Sequence, residues 1–401
     1  MTNETLEKSF YPEDLFNYQS KLTEGELGVL KKLREELETH VRPILIDSYE
    51  KAHLPKDEIM KAFKNAQIMT HPALYEGREG EWKPRDLYTA FLYLEMARFD
   101  PSVATFYTVH GGLGYNTILI GGSPEQRERF GRPVRDFEAQ TCFALTEPDH
   151  GSDIAGGLAT TAEKKGDVWV LNGQKRWIGG AKTADFIPVF ARDVETKKIK
   201  CFMVKGDAPG LSVENVEHKI ALRIVNNGHI TLENVEVKDE DRLVNINGYG
   251  DVAKIFILTR ADVAHIAMGT AAGAYNAALE LTTTREQFGR KLAGFQLVQE
   301  KLARMQANVQ AAIAYSVRIA ELQDGGTEEM LNSSLAKMHN SLRMRETVAL
   351  AREVCGGNGI TYETKVARFF TDAEAIYTYE GTHEINAMLV ARELTGIGAF
   401  V

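Results

Sequence analysis

The hydrophobic period of this chain changes twice, and that double change limits the folds open to it more than any single motif does. Leu27, Leu30, Leu33 and Leu37 in LGVLKKLREELETHVRPIL fall on one side of a helix, and LYTAFLYLEMARFD continues the period. Near Cys142 the pattern becomes alternating. DVWVLNGQKRWIGG, DFIPVFAR, IKCFMVKG and GHITLENVEV read as strands, and Asn172-Gly173 predicts a type I′ hairpin. After Tyr249 the helical period returns in Val298, Leu302, Met305, Val309 and Ile313, and again in Leu331, Leu335, Met338 and Leu342, at lengths typical of bundles. The expectation is an α+β multidomain chain: an all-α N-terminal domain over 1–140, a small β domain (barrel or sandwich) over 141–245, and a helical bundle over 246–401.

Composition narrows the function classes. A chain of 401 residues with 44% hydrophobic and 26% charged residues can bury a large core. Its net charge of -9 disfavours nucleic acid, and EKK (163–165) and TKKIK (196–200) read as solvated hairpin edges. Cys142, Cys201 and Cys355 form no CxxC pair, so neither a disulfide framework nor a metal site is expected. The acidic N-terminal opening lacks an apolar export core, and no stretch approaches a membrane span. A cytoplasmic location follows as an expectation.

Five stretches concentrate residues with chemical potential. In TYEGTHEIN, Thr382 is a plausible N-cap, so a helix is predicted from His383, with Glu380 just outside it. An acid there either complements the helix dipole or serves as a positioned general base. FALTEPDHGSDIAGG joins helices to strands; Gly151 and Gly156 allow close backbone approach, and Thr146 and Ser152 add donors. Trp177 in QKRWIGG is either core or a wall for a flat ring. REQFGRKLAGFQ places Arg285, Gln287, Phe288 and Gln296 in a polar, aromatic break between long helices, where Arg285 is a helix-end cation or a pyrophosphate partner. The fifth, EVCGGNGITYETKVARFFTD, lacks the spacing and preceding strand of a dinucleotide fingerprint.

Taken in this order, the five stretches resemble the acyl-CoA dehydrogenase family over roughly residues 20–401, ALTEPDHGSDIAG and EVCGGNGITYETKVARFFTD most closely. QKRWIGG and the C-terminal TYEGTHEINAMLVARELTGIGAF look nearest to glutaryl-CoA dehydrogenases and short-chain acyl-CoA oxidases. The resemblance implies a C-terminal four-helix bundle, FAD as cofactor, an acyl-CoA substrate, an electron-transfer flavoprotein as partner and a homotetramer. It puts the α-proton base at Glu380, the flavin beside Leu145, Thr146, Trp177, Ile178 and Gly179, and a neighbouring subunit's FAD at Arg285, Gln287, Phe288, Gln296, Glu353 and Gly357. Thr382 and Glu384 fall on the FAD phosphate and adenosine side. Ser152, Arg260, Tyr379 and Gly381 fall on the substrate.

The departures from the family pattern carry information. Gly179 stands where many members have Thr, and Glu353 and Glu384 where Gln is frequent, which places acids beside a pyrophosphate. Ala104 stands where the resemblance puts an arginine that pairs with the glutarate carboxylate. An unpaired carboxylate in a dry pocket costs several kcal/mol, so an apolar acyl tail and no decarboxylation are expected. The alternatives are a glutaryl-CoA dehydrogenase or an acyl-CoA oxidase on the same fold and, in another class, a non-catalytic helical interaction protein.

Overall fold

The computed structural model describes residues 9–399; the start of the N-terminal opening and the last two residues lie outside them. The first region is helical. α1 (Glu24–Glu36) begins with a capping box in which Thr23 and Glu26 exchange side-chain and backbone hydrogen bonds. α2 (Lys56–Ala66) packs on it, and α3 (Asp86–Phe99) is buried on nearly every side. Asp100 caps α4 (Pro101–Tyr107) by accepting from the Ser102 N–H at 3.0 Å. α4 then widens into i→i+5 turns over Thr108–Gly114 before α5 (Tyr115–Gly121).

The middle region is a six-stranded sheet: β1 (Thr161–Lys165), β2 (Val168–Gly179), β3 (Phe186–Asp193), β4 (Ile199–Lys205), β5 (Leu211–Asn215) and β6 (Asn227–Lys238). Their order is β4-β3-β1-β2-β6-β5, antiparallel except for the parallel β1–β3 pair. The expected hairpin at Asn172-Gly173 is not formed. The chain reverses earlier, at Gly166-Asp167, pairing Lys165 with Val168. Asn172-Gly173 instead sits inside β2 at a register shift against β6. Gly173 has φ 145, and a Cβ there would lie 2.7 Å from Thr160 Cα, so the glycine serves a bulge and a close backbone approach.

The last region holds α6 (Tyr249–Thr284), a small ribbon of β7 (Glu286–Gln287) and β8 (Arg290–Lys291), α7 (Gln296–Asp324), α8 (Met330–Val354), α9 (Val366–Thr378) and α10 (His383–Thr395). α6 is the central helix, packed on α3, α7, α8 and α9. By length and composition it could cross a membrane, yet 83% of its most apolar window is buried inside the protein. Its small residues allow close crossing: a Cβ at Gly269 would lie 2.6 Å from Ala97 Cβ, and one at Gly273 2.5 Å from the Phe369 ring.

α7 buries Met305, Val309 and Ile313 as its period predicts. α8 does not follow its apolar row. Ser333, Ser334, Lys337, Asn340, Ser341 and Met344 face inward, while Leu331, Leu335 and Met338 are half-buried and Leu342 is exposed. The inward polar groups find partners inside the bundle: the Asn340 amide donates to Ala264 O at 3.1 Å and to Ala312 O at 3.3 Å. The outward leucine row is left for another surface to cover.

Candidate active site

Residues 379–382 cross from the end of α9 to the start of α10. Thr382 caps α10 by accepting from the Ile385 N–H at 3.3 Å, so the helix begins at His383 as its sequence predicts. The link is tied from two sides. The Asn386 amide donates to Gly381 O and Thr382 O, both at 2.9 Å. Lys337, buried on the inner face of α8, donates to Tyr377 O at 3.2 Å and to Gly381 O. These ties hold Glu380 in left-handed backbone with φ 52, a conformation a non-glycine residue adopts only when its surroundings enforce it.

The Glu380 carboxylate points inward, and its Oε2 is buried with no hydrogen-bond partner. Burial pushes its carboxyl up to about 7, with Lys337 and then Arg260 pulling it back down. Burial also lowers Lys337, to about 8. Arg260, on α6, bonds through Nη1 to Ser334 Oγ at 3.2 Å, and a Cβ at Gly381 would lie 3.8 Å from its Nη2. Glu384 shows the other behaviour. It is exposed in the first turn of α10, and its own backbone N–H and the Thr382 hydroxyl hold it below the usual carboxylate range. Glu384 is thus the acid that complements the helix dipole, whereas Glu380 is a carboxylate kept basic by a dry environment.

Leu145 and Thr146 lie where the first helical region meets the sheet. Leu145 O accepts from Lys175 Nζ at 3.0 Å, and Thr146 O accepts from the Arg176 N–H at 2.9 Å. Among the described residues nothing pairs with the Thr146 N–H or hydroxyl, which leaves both for a ligand. The loop is anchored by a buried ion pair, Lys175–Glu147 at 2.8 Å, whose carboxylate also accepts from the Ala159 and Thr160 N–H groups. Trp177 falls on the β2 irregularity between Lys175 and Ile178; its φ of 66 swings the indole outward, leaving it 53% exposed. An exposed tryptophan beside free donors is a wall awaiting a flat ring, not core. Ile178 and Gly179 are buried, and a Cβ at Gly179 would press to 3.1 Å from Val109, so packing accounts for the glycine where a threonine is common. Gly151 and Ser152 lie on an exposed loop and Gly156 in the short helical turn Ile154–Gly157 after it, with open space around both glycines.

The remaining expected cofactor residues lie elsewhere. Arg285 ends α6, Gln287 and Phe288 belong to the β7–β8 turn, and Gln296 opens α7; Phe288 is 95% exposed with φ 52. Glu353 is exposed and paired with Lys301 at the far end of α8, beside Gly357. Arg260 and Arg285 are separated along α6 by about 37 Å, at 1.5 Å per residue. The structure therefore brings Leu145, Thr146 and Trp177 together at the sheet and Tyr379–Glu384 together at α10, but sets the Arg285 group apart from the Glu380 end of the same chain.

Reading the sequence missed Lys337, Asn386, Thr105, Tyr93 and Asp262. For Asp262 the signal was a charged residue in an otherwise apolar helical run, RADVAHIAMG; Lys337 in SSLAKMHN stands among other polar residues and carried none. Tyr379 Oη lies 3.1 Å from Thr105 Oγ1 of α4, which closes the Glu380 side of the site.

The start of α10 offers a carboxylate held near neutrality with one oxygen buried and unpartnered, and the sheet offers an exposed indole beside free donors, features that suit an enzyme moving a proton beside a flat-ringed cofactor. Comparison with known proteins narrows this class. The family models described as acyl-CoA dehydrogenase N-terminal, middle and C-terminal domains match residues 23–138, 142–235 and 247–395. The chain belongs to the acyl-CoA dehydrogenase family: it is an oxidoreductase acting on CH–CH groups, and its cofactor is FAD. It is 32% identical over 377 residues to a 3-(aryl)acrylate reductase of Clostridium sporogenes, covering 93% of this chain and 99% of that one. It is 33% identical over 301 residues to the caffeyl-CoA reductase-Etf complex subunit CarC of Acetobacterium woodii, covering 74% and 79%. The glutaryl-CoA dehydrogenase of Mycobacterium smegmatis superposes with a TM-score of 0.89 at 30% identity, over 97% of this chain and 99% of that one. A glutaryl-CoA dehydrogenase of Mycobacterium smegmatis in complex with FADH2 superposes with a TM-score of 0.89 at 28% identity, over 98% of this chain and 100% of that one.

Proposed function

We propose that this protein dehydrogenates a fatty acyl-CoA thioester to the trans-2-enoyl-CoA, with Glu380 removing the α-proton. The observation that carries this reading is the inward Glu380 carboxylate, with one oxygen unpartnered and its acidity weakened to about 7. A base of that strength is about half ionised at neutral pH and basic enough to take a proton from carbon. Bound FAD supplies the acceptor for the β-hydride. The residues present fit that group: Thr146 offers free donors, Trp177 offers an exposed ring, and Leu145 is anchored behind them by Lys175. Tyr379 and Thr105 close the site against water, and the Lys337–Gly381 contact keeps Glu380 aimed inward. Arg260, Ser152 and Gly381 are assigned to the thioester and CoA.

Arg285, Gln287, Phe288, Gln296, Glu353 and Gly357 are assigned to the FAD of a second copy. About 37 Å of helix separates the two ends, and the outward row of α8 leaves apolar surface for that copy. Both features support a homotetramer. Position 104 offers no cation to a glutarate: Ala104 is fully buried, and nearby in sequence Arg98 is turned to Glu13 at 3.1 Å. Electrons pass to an electron-transfer flavoprotein, a partner supported by the Etf complex to which one relative belongs. Three buried, free cysteines accord with a reducing, cytoplasmic setting.

A second reading, reduction of an enoyl-CoA, draws on the reductase names of two relatives and on the same carboxyl, which near pH 7 is poised to return a proton as readily as to take one. The test is anaerobic titration of the flavin absorbance with straight-chain acyl-CoAs, isovaleryl-CoA and glutaryl-CoA. Bleaching by straight-chain substrates with glutaryl-CoA inert is expected. Bleaching by glutaryl-CoA alone would overturn the substrate assignment. Peroxide yield in air separates an oxidase from a dehydrogenase.

A further inference from the structure

One buried carboxylate ties the two halves of the site together. Asp372 lies on α9, about 9 Å before the helix ends at Thr378, and it is fully buried. Its Oδ2 accepts from Ser102 Oγ of α4 at 2.6 Å. Its Oδ1 accepts from Tyr49 Oη at 2.7 Å and from the Leu222 N–H at 2.6 Å. Tyr49 and Ser102 belong to the first helical region and Leu222 to the segment between β5 and β6, so all three regions of the chain meet at this side chain. Among the described residues no cation pairs with it; the neighbouring Asp100 takes Arg368, at 3.0 Å. Leu222 is buried in left-handed backbone with φ 48, which a leucine keeps only where its surroundings enforce it, and its N–H bond to Asp372 is part of that enforcement.

From Asp372 one route leads to the base. Ser102 and Thr105 are a turn apart on α4, and Thr105 Oγ1 lies 3.1 Å from Tyr379 Oη, next to Glu380. α4 is thus pinned at Asp372 and again at Tyr379. The other route leads to the indole wall. Lys219 gathers the segment that holds Leu222: its Nζ donates to Leu222 O at 2.9 Å, to Val225 O at 2.7 Å and to Asn227 Oδ1 at 2.5 Å. The Asn227 amide donates to Trp177 O at 3.2 Å, and the Gly180 N–H donates to Asn226 O at 2.9 Å. Val225 also packs on Gly179, where a Cβ would lie 3.2 Å from it. Each half has further ties of its own: Arg223 donates to Tyr49 O and Glu50 O, while Lys337 and Asn386 hold Gly381. Asp372 is the group the two halves share, and a buried polar network with its members paired specifies one arrangement.

We propose that Asp372 is a positioning residue for the reaction, holding the strand of Trp177 and the loop of Glu380 at one fixed separation so that both act on the same substrate. It touches neither the substrate nor the reacting atoms. In dehydrogenation the α-proton goes to Glu380, its electron pair becomes the new C–C π bond, and the β-hydrogen leaves as hydride to the flavin. Removing the proton needs Glu380 alone. Completing the reaction needs the separation to be right, and a misplacement of about 1 Å costs up to about a hundredfold. The proposal rests on the reading in which Glu380 is the base and Trp177 walls the flavin.

The test separates the two steps in the FAD-loaded protein, with flavin content and melting temperature as folding controls. An acyl-CoA with sulfur in place of the β-carbon can lose its α-proton but has no hydride to give, so its α-deuterium uptake from D2O, read by mass spectrometry, reports Glu380 alone. Anaerobic bleaching by the straight-chain acyl-CoA of the same length reports both steps. Asp372→Leu leaves the Tyr49, Ser102 and Leu222 donors without an acceptor. Bleaching is expected to fall by about tenfold or more relative to uptake, and amide exchange over residues 177–180 and 219–227 to speed up. Asp372→Asn keeps an oxygen for Tyr49 and Leu222 and should restore the wild-type ratio. If Asp372→Leu does not hold FAD, Ser102→Ala, which cuts only the Oδ2 bond, carries the test with the same direction of change. Equal loss of both rates, or no loss, in a folded and FAD-bound variant would overturn the inference, leave Asp372 a stability group and let the dehydrogenase reading stand. A wild type that neither takes up deuterium nor bleaches, with FAD bound, would remove both.

Discussion

Removing the charge of Lys337 should move the pH at which Glu380 becomes a base. Lys337 donates to the carbonyls of Tyr377 and Gly381, on either side of Glu380, and it is the first of the two cations that hold the carboxyl down against burial. An opposite charge at about 4–6 Å lowers a carboxyl by roughly 1–3 units. Taking the lower end, Lys337→Met should raise Glu380 from about 7 to about 8, at 1.36 kcal/mol per unit. The carboxylate is the active form, so the bleaching rate rises with pH through the Glu380 value. In the variant that rise comes later, and at pH 6 about tenfold less of the enzyme is competent. Burial lowers Lys337 itself to about 8, so the wild-type charge is lost only where Glu380 is already ionised.

The assay is single-turnover flavin bleaching against pH, with flavin content and melting temperature measured alongside because the variant leaves two carbonyls short of a donor. Lys337→Arg keeps the charge and should keep the rise near 7 even where the absolute rate falls. A well-folded, FAD-bound Lys337→Met with an unmoved rise would show that Lys337 only ties the loop. A shift toward acid would refute the electrostatic reasoning outright.

Glu380→Gln should retain FAD and abolish bleaching. Because the folded carboxyl is raised, the native state holds a proton that the unfolded chain releases between about 4.5 and about 7, so the wild type loses stability as pH rises through that window. Glu380→Gln should therefore melt higher than the wild type at pH 8, by up to about 3 kcal/mol, and similarly at pH 4; equal melting at pH 8 would mean the carboxylate is better solvated than its unpartnered Oε2 indicates. Gly273→Ala should destabilise by about 1–3 kcal/mol, since its Cβ would meet the Phe369 ring at 2.5 Å and Arg98 O at 2.7 Å; an unchanged melting temperature would contradict the tight α3–α6 crossing. Arg285→Glu should weaken FAD retention on dilution while leaving the monomer fold intact by circular dichroism, and full flavin occupancy at low concentration would count against a shared site.

The helix beginning at His383 could be read in advance because its information is local: a threonine cap and a three-to-four spacing within a few residues. The same local reasoning misplaced Asn172-Gly173, since the backbone freedom that suits a hairpin turn equally suits a bulge, and only the pairing of Thr161 with Asn172 decides between them. On α8 the apolar row was visible, but the direction it faces depends on what else fills the core, and there Asn340 and Lys337 take the inward positions by bonding to carbonyls remote in sequence. Glu380 could be singled out as an acid outside a helix; that it is dry, left-handed and unpartnered could not, because Lys337, Arg260 and Asn386 come from three different helices. The positions where local rules fail are thus not scattered. Trp177 and Glu380 are non-glycine residues in left-handed backbone, and Asp262 and Lys337 are charged residue types inside apolar packing. Each is costly alone and retained, as expected where a fold gives up stability to hold reactive groups in place.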